Sequence, residues 1–146
     1  MKWVLDTNII SYLLRGDTAV RAAFESARDK PGRLFVLSPV VDYEIRRYLL
    51  LKGANRNLAQ YEALTATWTA APLAQADWRQ AASLWADRHR NGNPIADADL
   101  LIAVTVMAQG AVLVTYNVRH VCRARFAVDG LVPTRIAEVR TLNPEP

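Results

Sequence analysis

Three short apolar runs, Lys2 to Leu5, Leu34 to Leu37 and Ala111 to Thr115, are set apart by long stretches of helical periodicity, and this alternation constrains the fold more than any other feature. Runs of four or five apolar residues closed by polar turns read as buried strands. Between them, Ile9 to Arg15 predicts a short helix ended near Gly16, and Asp17 or Thr18 caps a second that reaches about Arg28, where Pro31-Gly32 breaks it. Ser38-Pro39 opens a helix over Val40 to Leu51, with Gly53 beyond its end. Helical spacing recurs over Asn57 to Thr69, then from a cap at Asp77 to about Arg90. After the turn Asn91-Gly92-Asn93-Pro94 it runs once more over Ile95 to Gln109, stopped by Gly110. Pro72-Leu73 and Leu131 to Ile136 are further strand candidates. Strands alternating with helices imply right-handed crossovers and a parallel sheet covered on both faces, hence the α/β class. In such sheets ligands bind beyond the carboxyl ends of the strands.

A chain of 146 residues, with 51% hydrophobic and 22% charged, has the size and composition of one globular domain, with no linker and no repeat. One domain is expected over residues 1–142, with Asn143-Pro144-Glu145-Pro146 as a loose tail. No apolar run approaches the roughly 20 residues of a membrane-spanning helix, so no membrane partner is expected. Asp6 comes too early for the apolar region of a signal peptide. One cysteine, Cys122, cannot form an internal disulfide, which suits a reducing compartment; the cytoplasm of a prokaryote-like cell is the expected location. The charge balance is 18 basic to 14 acidic residues, and every base except Lys2, Lys30 and Lys52 is arginine. Arginine offers a planar fork of donors suited to phosphate, which permits a nucleic-acid partner without requiring one.

Three acids carry the chemical argument. Asp6 follows Trp3-Val4-Leu5 directly and belongs at the carboxyl end of the first strand, where it either caps the next helix or serves a site. Glu44 lies on the apolar stripe of Val41, Ile45, Tyr48 and Leu49. A glutamate turned toward a core needs its charge compensated, by a metal ion or by an arginine such as Arg47. Asp97 and Asp99 fall in the first turns of the helix after Pro94, where the backbone dipole favours acids in any case. Asp99 aligns with Ile95, Ile102, Ala103 and Val106 on the packed side, whereas Asp97 shares a face with Leu101 and Val104, which makes Asp99 the better ligand candidate. Acids gathered from three crossover units repel one another unless cations sit among them. Hard divalent ions, Mg²⁺ or Mn²⁺, match an all-oxygen set, and the chemistry they suit is hydrolysis of a phosphodiester by a metal-activated water.

The stretch Leu5-Asp6-Thr7-Asn8, the helix-borne Glu44, the run from Asp97 through Asp99 to Ile102-Ala103, and Leu113-Val114-Thr115-Tyr116-Asn117 stand in the order seen in PIN-domain proteins, and the chain resembles the toxin class of the VapC type. The resemblance spans about Val4 to Val132. It implies a three-layer α/β/α domain acting as an endoribonuclease on RNA, held inactive by a cognate antitoxin and paired as a homodimer. It also implies Mg²⁺ or Mn²⁺ held by Asp6 and Asp99, an acidic triad completed by Glu44, and support from Thr7 and Asn117. Many relatives carry a fourth acid where this chain has Asn117 or His120; Asp97 is the acid that could partly replace it. That departure leaves a second expectation open, a catalytically weakened module that binds RNA or a partner. Asp42 is also unusual for the family and carries no expected role.

Other candidates are weaker. His120 and Cys122, with His89 distant, fall short of a zinc set. Ser11 lacks an obvious base, no glycine-rich phosphate loop occurs, and the three lysines are misplaced for an aspartyl-phosphate mechanism. Arg88, Arg90, Arg119, Arg123 and Arg125 could line a groove for RNA phosphate or form a solvated face. Trp68, Trp78 and Trp85 could stack on bases but are expected in the core. The apolar end of the Val40 to Leu51 helix could serve a subunit interface.

Overall fold

The first apolar run becomes the strand β1 (Lys2–Leu5), and the rest of the sheet is assembled on either side of it. The computed structural model describes residues 1–116. In order after β1 come α1 (Thr7–Arg15), α2 (Thr18–Arg28), β2 (Leu34–Leu37), α3 (Pro39–Leu51), α4 (Asn55–Thr65), β3 (Thr69–Ala70), α5 (Gln75–Arg90), α6 (Asp97–Gln109) and β4 (Val112–Val114). The strands lie in the order β3-β2-β1-β4 and pair in parallel throughout, with Val4 opposite Val36 on one side and Leu113 on the other.

That order fixes where a site can form. Two crossovers step the chain one way, from β1 to β2 to β3, and the third, through α5 and α6, carries it back to place β4 on the far side of β1. Right-handed crossovers running in opposite directions put their helices on opposite faces, giving three layers, α/β/α. The direction reverses between β1 and β4, the kind of switch beyond whose carboxyl ends α/β sheets bind their ligands.

The main core joins the sheet residues Val4, Val36 and Leu113 to Ile10 of α1, Val41 and Ile45 of α3, and Ile102 and Val106 of α6. A second, smaller cluster of Ala81, Leu100 and Val104 packs α5 onto α6. With one side on the main core and another on α5, α6 is apolar nearly all round. Gly16 and Gly110 end α1 and α6 with φ of 78° and 56°, a left-handed turn that a side chain would strain.

Several boundaries differ from the sequence reading for physical reasons. α1 begins at Thr7, with Asp6 as its cap, and α6 begins at Asp97 rather than Ile95. Asp77 lies inside α5, where its carboxylate accepts the Ala74 amide at 2.7 Å and closes the helix end from within. The third strand is Thr69–Ala70 rather than Pro72-Leu73, and α4 stops at Thr65. Trp68 explains the early stop: it turns inward to stack on Phe35 at 5.4 Å and meets Phe24, so the chain enters the sheet edge beside β2. Trp68 thus joins the core as expected. Trp78 and Trp85 do not, being 50% and 42% exposed, because Ala81 and Leu84 take the face of α5 turned to α6. Tyr48, expected on the inner stripe of α3, is likewise exposed. Leu131 to Ile136 and the tail from Asn143 lie outside the described residues.

α3 and α4 are joined by a polar lock. Asp42 accepts hydrogen bonds from the Tyr61 hydroxyl at 2.8 Å and Arg46 Nε at 2.9 Å, while Arg46 Nη1 donates to Glu62 at 2.9 Å. Tyr61 is wholly buried, and burial with the neighbouring Asp42 charge pushes its hydroxyl well above the ordinary tyrosine range. The residue that the sequence left without a role is a structural one. Tyr61→Phe is expected to cost about 1 kcal/mol of stability, the worth of one hydrogen bond with its Asp42 acceptor still partnered by Arg46. Urea unfolding of the variant beside the parent measures it.

Candidate active site

Asp6 stands at this switch because β1 ends one residue before it. Its amide still donates to Val114 O at 2.9 Å, so the residue is pinned between β1 and β4. Oδ1 accepts the Thr7 amide at 2.7 Å, which starts α1. Oδ2 accepts the Thr115 hydroxyl at 2.6 Å and Asn8 Nδ2 at 3.2 Å. Asn8 also ties across to the β4 side, its Oδ1 accepting the Tyr116 amide at 3.3 Å. One carboxylate therefore follows a strand, starts a helix and is tied across to the β4 side.

Glu44 arrives from α3 on the side of Val41 and Ile45, with its side chain 19% exposed. Its Oε2 accepts the Thr7 hydroxyl at 2.6 Å, so α1 and α3 are coupled through that pair. Arg47 Nη2 lies 3.9 Å from Oε1, a loose ion pair rather than a hydrogen bond. Asp99, the third residue of α6, is half-buried, and Asp97, the first, is exposed. The Asp6 carboxyl is raised above the ordinary carboxylate value chiefly by burial. The negative charges of Asp99 and Glu44 raise it further, against the hydrogen bonds from Thr115 and the Thr7 amide, which favour the ionised form. Asp99 of α6 and Glu44 of α3 thus both act on the carboxyl group that follows β1.

The donor set is all oxygen. Among the described residues, however, no three of the Asp, Glu, His or Cys side chains form a group that could hold a metal ion, so a closed three-carboxylate cage of Asp6, Glu44 and Asp99 is not what these residues build. Thr7 accounts for Glu44, whose Oε2 is engaged by a neutral hydroxyl. A site of one or two carboxylates completed by water is the usual arrangement for Mg²⁺. Asp6, half-buried and under the influence of the Asp99 charge, fits that type.

The PIN-domain family model matches residues 3–126. The chain belongs to the PIN-domain family. Solved structures agree in fold. The VapBC2 complex of Rickettsia felis bound to a DNA fragment from its promoter aligns over 84% of this PIN-domain chain and 92% of its own, with a TM-score of 0.74 and 22% identity. VapBC-1 of nontypeable Haemophilus influenzae aligns over 85% and 92%, with a TM-score of 0.68 and 27% identity. A toxin–antitoxin complex from Klebsiella pneumoniae aligns over 90% and 96%, with a TM-score of 0.63 and 19% identity. No curated protein matches the sequence.

The remaining expected residues divide clearly. Thr7 reaches the site through Glu44. Asn117, Arg119, Arg123 and Arg125 lie outside the described residues, as do His120 and Cys122. Arg90 is exposed and paired with Asp87 at 2.8 Å, and Arg88 is half-buried on the side of α5 that faces α6. The sequence reading gave Thr115 and Asn8 no role of their own. Their signal is positional: a polar residue directly after the last strand of the switch, and an amide side chain two residues after the acid.

A folded-state value above the unfolded one means that the folded protein holds the Asp6 proton more tightly than the unfolded chain does. The stabilisation is complete in acid and is lost as pH rises from the unfolded carboxylate value through the raised folded value. Ionised Asp6 therefore weakens the fold at neutral pH. Asp6→Asn, which keeps a capping oxygen, is expected to raise the thermal midpoint at pH 7 in chelator and to lose that advantage at low pH. Calorimetric scans at both pH values check it; a lower midpoint at pH 7 would show that the lost hydrogen bonds to Oδ2 outweigh the relieved charge.

Proposed function

We propose that the chain is the toxin of a toxin–antitoxin pair, an Mg²⁺- or Mn²⁺-dependent endoribonuclease of the VapC type. One observation carries the reading: Glu44 and Asp99, from two other crossover units, both influence the Asp6 carboxylate at the switch between β1 and β4, the place where an α/β sheet binds its ligand. The 27% identity to VapBC-1 supports the toxin assignment, and with it a cognate antitoxin as partner. The cytoplasm is the proposed location; no helix among the described residues is long and apolar enough to cross a membrane. A homodimer is the proposed assembly, supported by Leu50 and Leu51, which leave apolar surface exposed at the end of α3.

Asp6 and Asp99 would hold the divalent ion, with Asp97 at the rim. The ion when bound supplies Lewis-acid activation of water and neutralises charge on the phosphodiester. The protein's own part is orientation. Thr115, Asn8 and the Thr7 amide fix both oxygens of Asp6, so the carboxylate needs no rearrangement to receive a ligand. Thr7 fixes Oε2 of Glu44 and leaves Oε1 as the acceptor for a proton from an attacking water.

The lack of a three-carboxylate set among the described residues favours a second reading, a PIN-like module that binds RNA or a partner with weakened catalysis. Incubation of RNA with the purified protein and Mg²⁺ or Mn²⁺ separates the two. Cleavage is expected, abolished by EDTA and reduced by at least ~100-fold in Asp99→Asn, the scale for losing a group that stabilises the transition state. RNA binding without cleavage under either ion would establish the second reading. Binding of the ion itself is expected to raise the thermal midpoint of the wild type, by about 2.7 kcal/mol in stability at a hundredfold excess over Kd, and to leave Asp6→Asn unmoved. Sedimentation is expected to give a dimer that Leu51→Glu dissociates; a monomeric parent would remove the pairing.

A further inference from the structure

α3 presents two adjacent arginines with opposite fates. Arg46 has its donors taken up by the protein: its Nε goes to Asp42, its Nη1 to Glu62, and its guanidinium rests over the Tyr61 ring at 5.5 Å. Arg47 lies 58% exposed, one turn beyond Glu44. Its guanidinium is held over the exposed ring of Tyr43 at 5.0 Å, and its nearest carboxylate oxygen is 3.9 Å away, too far for a hydrogen bond. Among the described residues no hydrogen bond is drawn from this group. A planar cation with its fork of donors unspent, seated on an aromatic face beside Glu44, has the geometry that recognises a phosphate in two places at once. The need is electrostatic as well. Asp6, Glu44 and Asp99 repel a polyanion, so a substrate strand requires positive charge at the rim before its phosphate can approach the acids.

We propose that Arg47 is a substrate-positioning residue that binds a backbone phosphate of single-stranded RNA at the mouth of the acidic site, with Tyr43 holding the plane of its guanidinium. Arg47 is tethered loosely enough to Glu44 to exchange that contact for phosphate, and α3 sets the two only three residues apart. The inference rests on the nuclease reading for the identity of the ligand, but its test does not require turnover.

Binding of a short fluorescein-labelled single-stranded RNA to the Asp99→Asn protein, measured over a series of salt concentrations, isolates the contact. Adding Arg47→Ala is expected to weaken binding about tenfold, the loss of one charge-assisted contact. It is also expected to lower the slope of log Kd against log salt by about 0.7, the release from one phosphate of a single strand. Arg47→Lys is expected to restore the slope with only part of the affinity, since the charge remains and the fork does not. Arg56→Ala, at the start of α4 beyond the far end of α3, serves as the control and is expected to bind as the parent does. Unchanged affinity and slope in Arg47→Ala would overturn the proposal and leave Arg47 as a counterion to Glu44. A loss in Arg47→Ala without change in slope would overturn it too, since a phosphate contact must release salt. A wild type that binds RNA through Arg47 yet cleaves nothing would refute the nuclease reading alone.

Discussion

A half-buried carboxylate at the seam between two strands organises this structure. Asp6 is bonded to β4 through both backbone and side chain, starts α1 through its own capping oxygen, and lies within the influence of acids from α3 and α6. Burial and like charge both work against its ionised form, and the surrounding donors offset them only in part. The fold therefore concentrates unfavourable charge where its topology reverses direction. Proteins retain such a feature when a ligand relieves it, and the relief is available to a cation. Because α1, α3, α6 and β4 all meet at this point, a bound ion would tighten the whole carboxyl edge rather than one side chain.

α3 shows how one helix serves stability and site together. Its Asp42 and Arg46 are locked to α4 by Tyr61 and Glu62, and its Val41, Ile45 and Leu49 are buried in the main core. Glu44 reaches Thr7 of α1 from a third side, with Arg47 exposed one turn beyond it. The lock fixes the rotation of the helix, and that rotation determines which of two adjacent arginines is tied to α4 and which is not. A change that loosened α4 would therefore be felt at Glu44 without touching the site.

β1, β2 and β4 were legible in the sequence because buried parallel strands are short apolar runs, and these are bounded by Asp6, Ser38 and Gly110; the order in which they pair was not. Glu44 could be picked out because a charge on an apolar stripe breaks the helical pattern, and the favoured inner face of Asp99 is reflected in its half-buried state against the exposed Asp97. What the sequence could not carry was choice among equivalent faces. Trp78 and Trp85 share a face at helical spacing, but so do Ala81 and Leu84, and close packing of α5 on α6 selected the smaller pair. The short third strand was misplaced for a similar reason: pairing with β2 is decided by where Trp68 finds its aromatic partners, a contact between residues distant in the chain. Thr115 and Asn8 were given no role of their own because the bond between them joins segments more than a hundred residues apart in sequence.

Asp42 and Glu44 illustrate the limit of reading acids by type. They sit two residues apart on the same helix, yet one is satisfied by a tyrosine and an arginine while the other meets a threonine hydroxyl and a distant guanidinium. Composition and spacing assign both the same formal charge. What separates them is the number of donors aimed at each: Asp42 has its charge answered within the protein, whereas Glu44 has one oxygen occupied and the other only weakly neutralised. An acid left in that condition beside Asp6 is poised to engage a proton or a cation from outside the protein, and Arg47, equally unsatisfied beside it, is poised to engage an anion. The edge thus carries complementary unmet demands, and a phosphodiester accompanied by a divalent ion would meet both.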